Sequence, residues 1–310
     1  MSLSQATPPG QATPAVHSHA AAVALLALLA LVWGVHWVVV KIGLDYMPPL
    51  TYAALRVVTG LATVVALLGV QGRLRLPPRS DLSIVASVGL VQVAGGILIM
   101  NLALQVVPAG RSSVLVYTMP LWVGVLLWIF FHVRPRRNEI LGLALGIAGL
   151  LLLLNPAVID WGIPGELAGT LALLLNAVMW AAVTIHVRRH TWVSTPLDLQ
   201  PWQLLVALVP LAVAALLLEP NAVVNWQPIT VLVLLYSGPM ATAFATWASQ
   251  SITRSLGPQA SATGFLAVPV VGLISGAIVL GEKLGPVDIL GFATVLAGVA
   301  LTSLRPRRGS

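Results

Sequence analysis

Residues 140–150 read ILGLALGIAGL, and residues 289–299 read ILGFATVLAGV. Six of the eleven positions are identical at an offset of 149. At the same offset Pro120 falls on Pro269. At an offset of 147, Trp33 falls on Trp180, within LALLALVWG (26–34) and LALLLNAVMWA (171–181). Apolar stretches match by chance more readily than mixed ones. Three matches in the same order at nearly one offset nevertheless point to an internal repeat spanning half the chain.

Composition decides the solvent around this repeat. Of the 310 residues, 58% are hydrophobic and 8% are charged, and the mean hydropathy is +0.96. A soluble domain carries about 25% charged residues. So few charges cannot cover a water-facing surface, which leaves lipid as the solvent. With no cysteine, disulfides, thiolate metal sites and cysteine nucleophiles are excluded. The net charge of +7 would suggest a nucleic-acid partner in a soluble protein. Here the basic residues sit in short loops between apolar runs, where they read as a topology signal.

Ten apolar runs follow a tail rich in Ala, Ser, Thr, Pro and Gln. They cover 21–41, 49–70, 82–105, 110–132, 138–155, 165–187, 200–218, 228–249, 258–280 and 286–304. Breaks between them carry Pro, Gly and charge, as at Met47-Pro48-Pro49, Asn155-Pro156 and Glu219-Pro220. The runs are too long, and too uniformly apolar, for barrel strands. The expected fold is therefore all-α and integral to the membrane, with ten transmembrane helices. Counting Lys and Arg in alternate loops gives 12 on the side of the two tails and 3 on the other (Lys41, Arg111, Lys283), with Arg56 inside the second span. That bias puts both tails in the cytoplasm. The expected organisation is a disordered cytoplasmic tail (1–20), a first five-helix repeat (21–155), a second one (165–304) and a basic cytoplasmic tail (305–310). Because five is odd, the second copy enters the membrane from the opposite side. Such inverted repeats recur in secondary transporters, where two halves close alternately on a central cavity.

The stretch LALVWGVHWVVVKIGLDYMPPLTYAALRVVTG (29–60) resembles the opening of the drug/metabolite transporter superfamily, EamA type, through Trp33, Gly34, Lys41, Pro49 and Arg56. The stretch LGEKLGPVDILGFATVLAGV (280–299) resembles that family's last hairpin, with its Gly-Glu turn at Gly281 and Glu282. The first half departs from the pattern, since His132 and Val133 stand where the second has Gly281 and Glu282. In texture the chain is most similar to bacterial exporters of aromatic amino acids and related metabolites, the YddG type. The resemblance implies ten helices, two inverted five-helix repeats, a central cavity and residence in the bacterial inner membrane.

Candidate cavity residues come from polar and aromatic positions inside the spans. On the first helix, Trp33, His36 and Trp37 share one side. They read either as packing aromatics or as a wall that stacks on substrate, and His36 as an interhelical hydrogen bond, a substrate contact or a proton carrier. On the sixth helix, Asn176, Trp180 and Thr184 form a mirrored stripe, as substrate contacts or interhelical glue. Gln92 and Asn101 on the third helix face opposite ways, and Gln92 is favoured because it shares a face with Gly96. Tyr117 and Tyr236 complete the set. Pro120, Pro269 and Gly124 are expected hinges or packing kinks, because a proline inside a span frees a carbonyl and bends the helix.

All nine acidic residues lie at helix ends or in loops, so no mid-span carboxylate marks a proton pathway. A cavity lacking fixed charge suits zwitterions or neutral amphiphiles, moved by facilitated diffusion or by proton coupling through His36 or an end carboxylate. The expected function is export of amino acids, aromatic or otherwise neutral. The same fold carrying sugars, nucleotide sugars or organic cations is the alternative. A membrane-embedded enzyme is disfavoured, since HExxH, GxSxG, phosphate loops and clustered carboxylates are missing from the sequence. No cofactor and no metal are expected. The partners are a small-molecule substrate and lipid, with the oligomeric state open.

Overall fold

The computed structural model describes residues 19–154, 161–249, 251–252 and 265–303. These are helical, with no strand among them. Seven helices are long and apolar enough to cross a membrane. They are α1 (His19–Leu44), α2 (Pro49–Val70), α3 (Arg79–Ala103), α4 (Ala109–Phe131), and, after a shorter α5 (Arg137–Leu153), α6 (Glu166–Arg189), α7 (Pro196–Leu218) and α8 (Pro228–Ser249). Two further apolar helices, α9 (Ala267–Leu280) and α10 (Pro286–Ser303), complete the described chain. Residues 155, 258–264 and 304, which the sequence assigns to the fifth, ninth and tenth spans, lie outside the described residues, as do both tails.

Proline opens α2, α7, α8 and α10 at the first helical position, where its missing N–H is no loss. The orphan amides of the first turn still need acceptors, and two helices take them from the other end of the sequence. Glu219, at the end of α7, accepts from Leu50 N (3.0 Å), Thr51 N (2.8 Å) and Thr51 Oγ1 (2.8 Å) at the start of α2. Glu282, just past α9, accepts from Ala109 N (2.6 Å) and Gly110 N (2.9 Å) at the start of α4.

These bonds define one end of the bundle, the far face. Arg111 belongs there, paired with Glu166 at 2.7 Å and donating to Leu153 O at 2.5 Å. So do Lys41, donating to Val107 O, and Asn101, donating to Pro49 O. The opposite, near face holds Arg73–Asp198, Asp81–His190, and the Arg189 guanidinium over the Phe131 ring. Hence α2 and α4 run from the far face to the near, whereas α7 and α9 run toward the far face. The largest apolar cluster, around Trp37, Met47, Tyr52, Met100, Leu104, Leu115 and Leu153, lies toward the far face.

Deformations recur at the repeat offset. A π-helical stretch interrupts α3 at Ser87–Gly95 and α8 at Tyr236–Phe244, 149 residues apart at both ends. Each carries a glycine at its third position, where the other half's backbone touches it. A Cβ on Gly89 would stand 2.6 Å from Gln203 O, and one on Gly238 would stand 2.8 Å from Arg56 O. The first segment of α4 ends at Val116 and the next starts at Met119, while α9 starts after a turn at Leu266. α4 and α9 end in left-handed residues again 149 apart, His132 (φ 55°) and Gly281 (φ 66°).

The glycine face of α5 packs inside the fold. A Cβ on Gly142 would lie 2.6 Å from Gly298 O, and one on Gly149 would lie 2.8 Å from Gly291 O. Small residues let helices in lipid approach this closely, so α5 and α10 meet backbone to backbone and the face is unavailable to a second copy.

Candidate functional site

Two connected polar and aromatic groups form where α1 crosses α8. In the first, Trp33 stands edge-on to Trp180 (6.4 Å between ring centres) and to Phe265 (6.3 Å). Its Nε1 donates to Ala241 O at 3.0 Å. That carbonyl belongs to the π-helical stretch, whose widened turn presents backbone acceptors to neighbours. Trp180 rests against α3, and a Cβ on Gly96 would come within 2.9 Å of its Nε1. Glycine there is what admits the indole. Asn176, one turn earlier on α6, donates from Nδ2 to Gly96 O at 3.4 Å.

In the second group, His36 stacks on Tyr236 (6.2 Å, 21° between planes), and the Tyr236 hydroxyl donates to Val32 O at 2.9 Å. Tyr52 Oη and Ser237 Oγ share a 2.6 Å hydrogen bond. Arg56 Nε donates to Thr242 Oγ1 at 2.9 Å, and that hydroxyl donates in turn to Ser237 O at 2.7 Å. Gln200 Nε2 reaches Ala243 O at 3.1 Å. Thus α8's π-helical stretch is held by side chains from α1, α2 and α7 at once.

The groups are partly to fully buried and incompletely paired. Arg56 is 6% exposed and His36 4%. Among the described residues, His36 Nε2, Arg56 Nη1, Asn176 Oδ1, Trp180 Nε1 and Gln200 Oε1 are buried with no hydrogen-bond partner. Buried polar atoms are nearly always bonded, so these five, carried on α1, α2, α6 and α7, stand out.

Of the residues singled out in the sequence, Trp33, His36, Asn176, Trp180 and Tyr236 meet here. Trp37 is buried in the far-face core instead. Gln92 is half-buried on the α3 π-helical stretch, and Asn101 is buried and bonded to Pro49 O. Tyr117 sits half-buried at the α4 break and packs against the far-face core. Thr184 donates to the Met119 sulfur at 3.6 Å. Pro120 stands in the first turn after the α4 break, and Pro269 is buried in the first turn of α9. Gly124 is exposed, with nothing within 4 Å of a built Cβ.

One expectation is corrected. The interior carries a fixed charge, because Arg56 is buried within α2 and no ion pair involves it among the described residues. Sequence reasoning placed Arg56 inside a span but left it out of the site. Its being the one charged residue in a span interior was the available signal. Tyr52, Thr242, Gln200 and Phe265 were also missed, and only tertiary packing brings them together.

The EamA-like transporter family matches this chain twice, over residues 20–155 and 167–304. The chain belongs to the EamA-like transporter family, and it is a multi-pass membrane transporter. Its relatives include an uncharacterized transporter, YoaV, of Bacillus subtilis, 25% identical with 89% of this chain and 94% of that protein covered. A probable amino-acid metabolite efflux pump of Salmonella typhimurium is 29% identical, covering 89% of this chain and 92% of the relative. An uncharacterized inner membrane transporter, YedA, of Escherichia coli is 27% identical, covering 89% and 88%. A solved crystal structure shares the fold with a TM-score of 0.62 at 22% identity, covering 92% of this chain and 96% of the other.

Proposed function

We propose that this protein exports amino acids and related metabolites across a bacterial inner membrane by alternating access. In this reading ten helices span the bilayer as two inverted five-helix repeats, with both termini cytoplasmic. The double family match and the opposite running directions of α2 and α7, and of α4 and α9, support the inverted arrangement. The 12-to-3 loop bias in Lys and Arg supports the orientation.

The observation that carries the transport reading is the pair of π-helical stretches at matched positions, one per half, beside buried orphan polar atoms. Transporter sites are built where helices are interrupted and backbone groups are freed, and π-helical turns concentrate at functional sites. Trp33, Trp180 and Phe265 would stack on an apolar or aromatic side chain, and the orphan polar atoms would take the cargo's polar end. Amino-acid cargo is supported by the efflux-pump names of the Salmonella relative and of its Escherichia coli counterpart, 28% identical.

The test is counterflow in proteoliposomes loaded with a panel of amino acids, sugars and organic cations. Exchange of neutral amino acids is expected. Exchange of sugars or cations alone would overturn the cargo, and no exchange at all would overturn transport by this route. Repeating the assay with and without a pH gradient separates facilitated diffusion from proton coupling.

A further inference from the structure

Arg56 poses a problem that the helix packing leaves unsolved. It is the eighth residue of α2, about 10 Å along the helix from its start, and its side chain is nearly fully buried. A buried charge is ordinarily paired, and charges inside spans face partners or pathways. Among the described residues the other buried arginine, Arg111, is paired with Glu166 at 2.7 Å. Among the described residues Arg56 bonds the Thr242 hydroxyl through Nε, while its Nη1 is buried without a partner. Thr242 is itself held by donating to Ser237 O, so the Nε side of the guanidinium is fixed. His36 Nε2, on α1, is a second buried orphan.

The repeat sharpens the point. The Arg56 carbonyl lies against Gly238 as the Gln203 carbonyl lies against Gly89, so Gln203 is the structural counterpart of Arg56 in the other half. One half supplies a guanidinium and the other a neutral amide.

We infer that Arg56 anchors the carboxylate of the transported molecule, with Nη1 donating to one carboxylate oxygen. This rests on the transport reading above and narrows its cargo to molecules that present a free carboxylate. A planar guanidinium fixed at one edge suits a planar carboxylate. Once the carboxylate is held there, the aromatic edges of Trp33 and Trp180 along α1 and α6 are left for the side chain.

Three probes decide the matter in proteoliposomes: phenylalanine, phenylalaninamide and phenylethylamine. They keep the ring and progressively remove the anion. Wild-type protein is expected to exchange the free acid at least about tenfold better than either analogue, as befits a charge-assisted bond. Arg56→Gln should bring the acid down to the level of the amide, and Arg56→Lys should keep part of the preference. Equal handling of acid and amide by the wild type, or an acid preference that survives in folded Arg56→Gln, would overturn the inference while leaving transport intact. Exchange of none of the three, nor of any other amino acid, would overturn both readings. If Arg56→Gln does not fold, the wild-type comparison of acid and amide decides alone. It can be repeated as ligand-induced thermal stabilisation.

Discussion

Glu282 offers the most direct handle on conformation. Its carboxylate, carried on the second half, holds the first two amides of α4 in the first half at 2.6 and 2.9 Å. Opening the far face between α4 and α9 must break both bonds. Hydrogen bonds to a charged acceptor contribute roughly 1.5–3 kcal/mol each and neutral ones about 0.5–1.5. The helix N-terminus adds a few tenths in favour of negative charge. Glu282→Gln keeps one neutral acceptor, so the closed arrangement should lose at least about 2 kcal/mol. A differential of that size shifts a two-state equilibrium by about 30-fold or more. The chain has no cysteine, so a single engineered thiol reports without background. Val114, fully buried one turn beneath Gly110, is the natural site. A membrane-impermeant maleimide applied from the far face should label Val114→Cys about 30-fold faster or more when Glu282→Gln is added. Glu219→Gln, which frees the start of α2, should act in the same direction. Unchanged rates in both, with equal labelling after denaturation, would show that the carboxylates do not latch the far face.

Other outcomes follow from buried contacts. Glu166→Ala strands the Arg111 guanidinium, both partners being under 5% exposed. It should cost about 3–5 kcal/mol in reversible unfolding from mixed micelles, and the Arg111→Met/Glu166→Met pair should recover most of that. Gly298→Leu would put its Cβ 2.5 Å from Gly146 N and 2.6 Å from Gly142 O. It should separate α5 from α10 and lower the melting temperature or abolish folding, whereas Leu290→Ala on the exposed side of α10 should leave melting nearly unchanged. Trp33→Ala and Trp180→Ala should each reduce counterflow at least tenfold, a factor worth about 1.4 kcal/mol, at unchanged folded yield. Normal exchange in both would assign the indoles to packing alone.

Much of this architecture is legible in the chain. Helix limits follow from Pro, Gly and charge between apolar runs, and the repeat follows from matched Trp, Pro and glycine-rich segments. The break in α4 is visible at Pro120, because proline cannot continue the hydrogen-bond ladder behind it. The π-helical stretches were not legible, since one extra residue per turn changes hydrogen-bond register and leaves hydrophobic pattern alone. SVGLVQVAG and YSGPMATAF share only the glycine and alanine at their third and eighth positions. The clamps were hidden for another reason. Glu219 and Glu282 read as ordinary helix-end acids, while their acceptor roles involve amides about 170 residues away in sequence. Arg56 was visible as a charge inside a span, but its lack of a carboxylate partner is a property of the assembled bundle.

The packing also bears on how the chain is made. Helices of each half find their main partners in the other: α1 against α9, α2 against α7 and α8, α3 against α6 and α7, α5 against α10. Residues 20–155 therefore wait in the bilayer with α5's glycine face bare and the α2 and α4 amides uncapped. At roughly 5–20 residues per second, synthesis of the second half takes about 10–30 s. The last partner, α10, emerges only at the end. A chain stopped before Glu282 would leave α5 unpaired and α4 without its carboxylate, so the second half must be made before the first can settle.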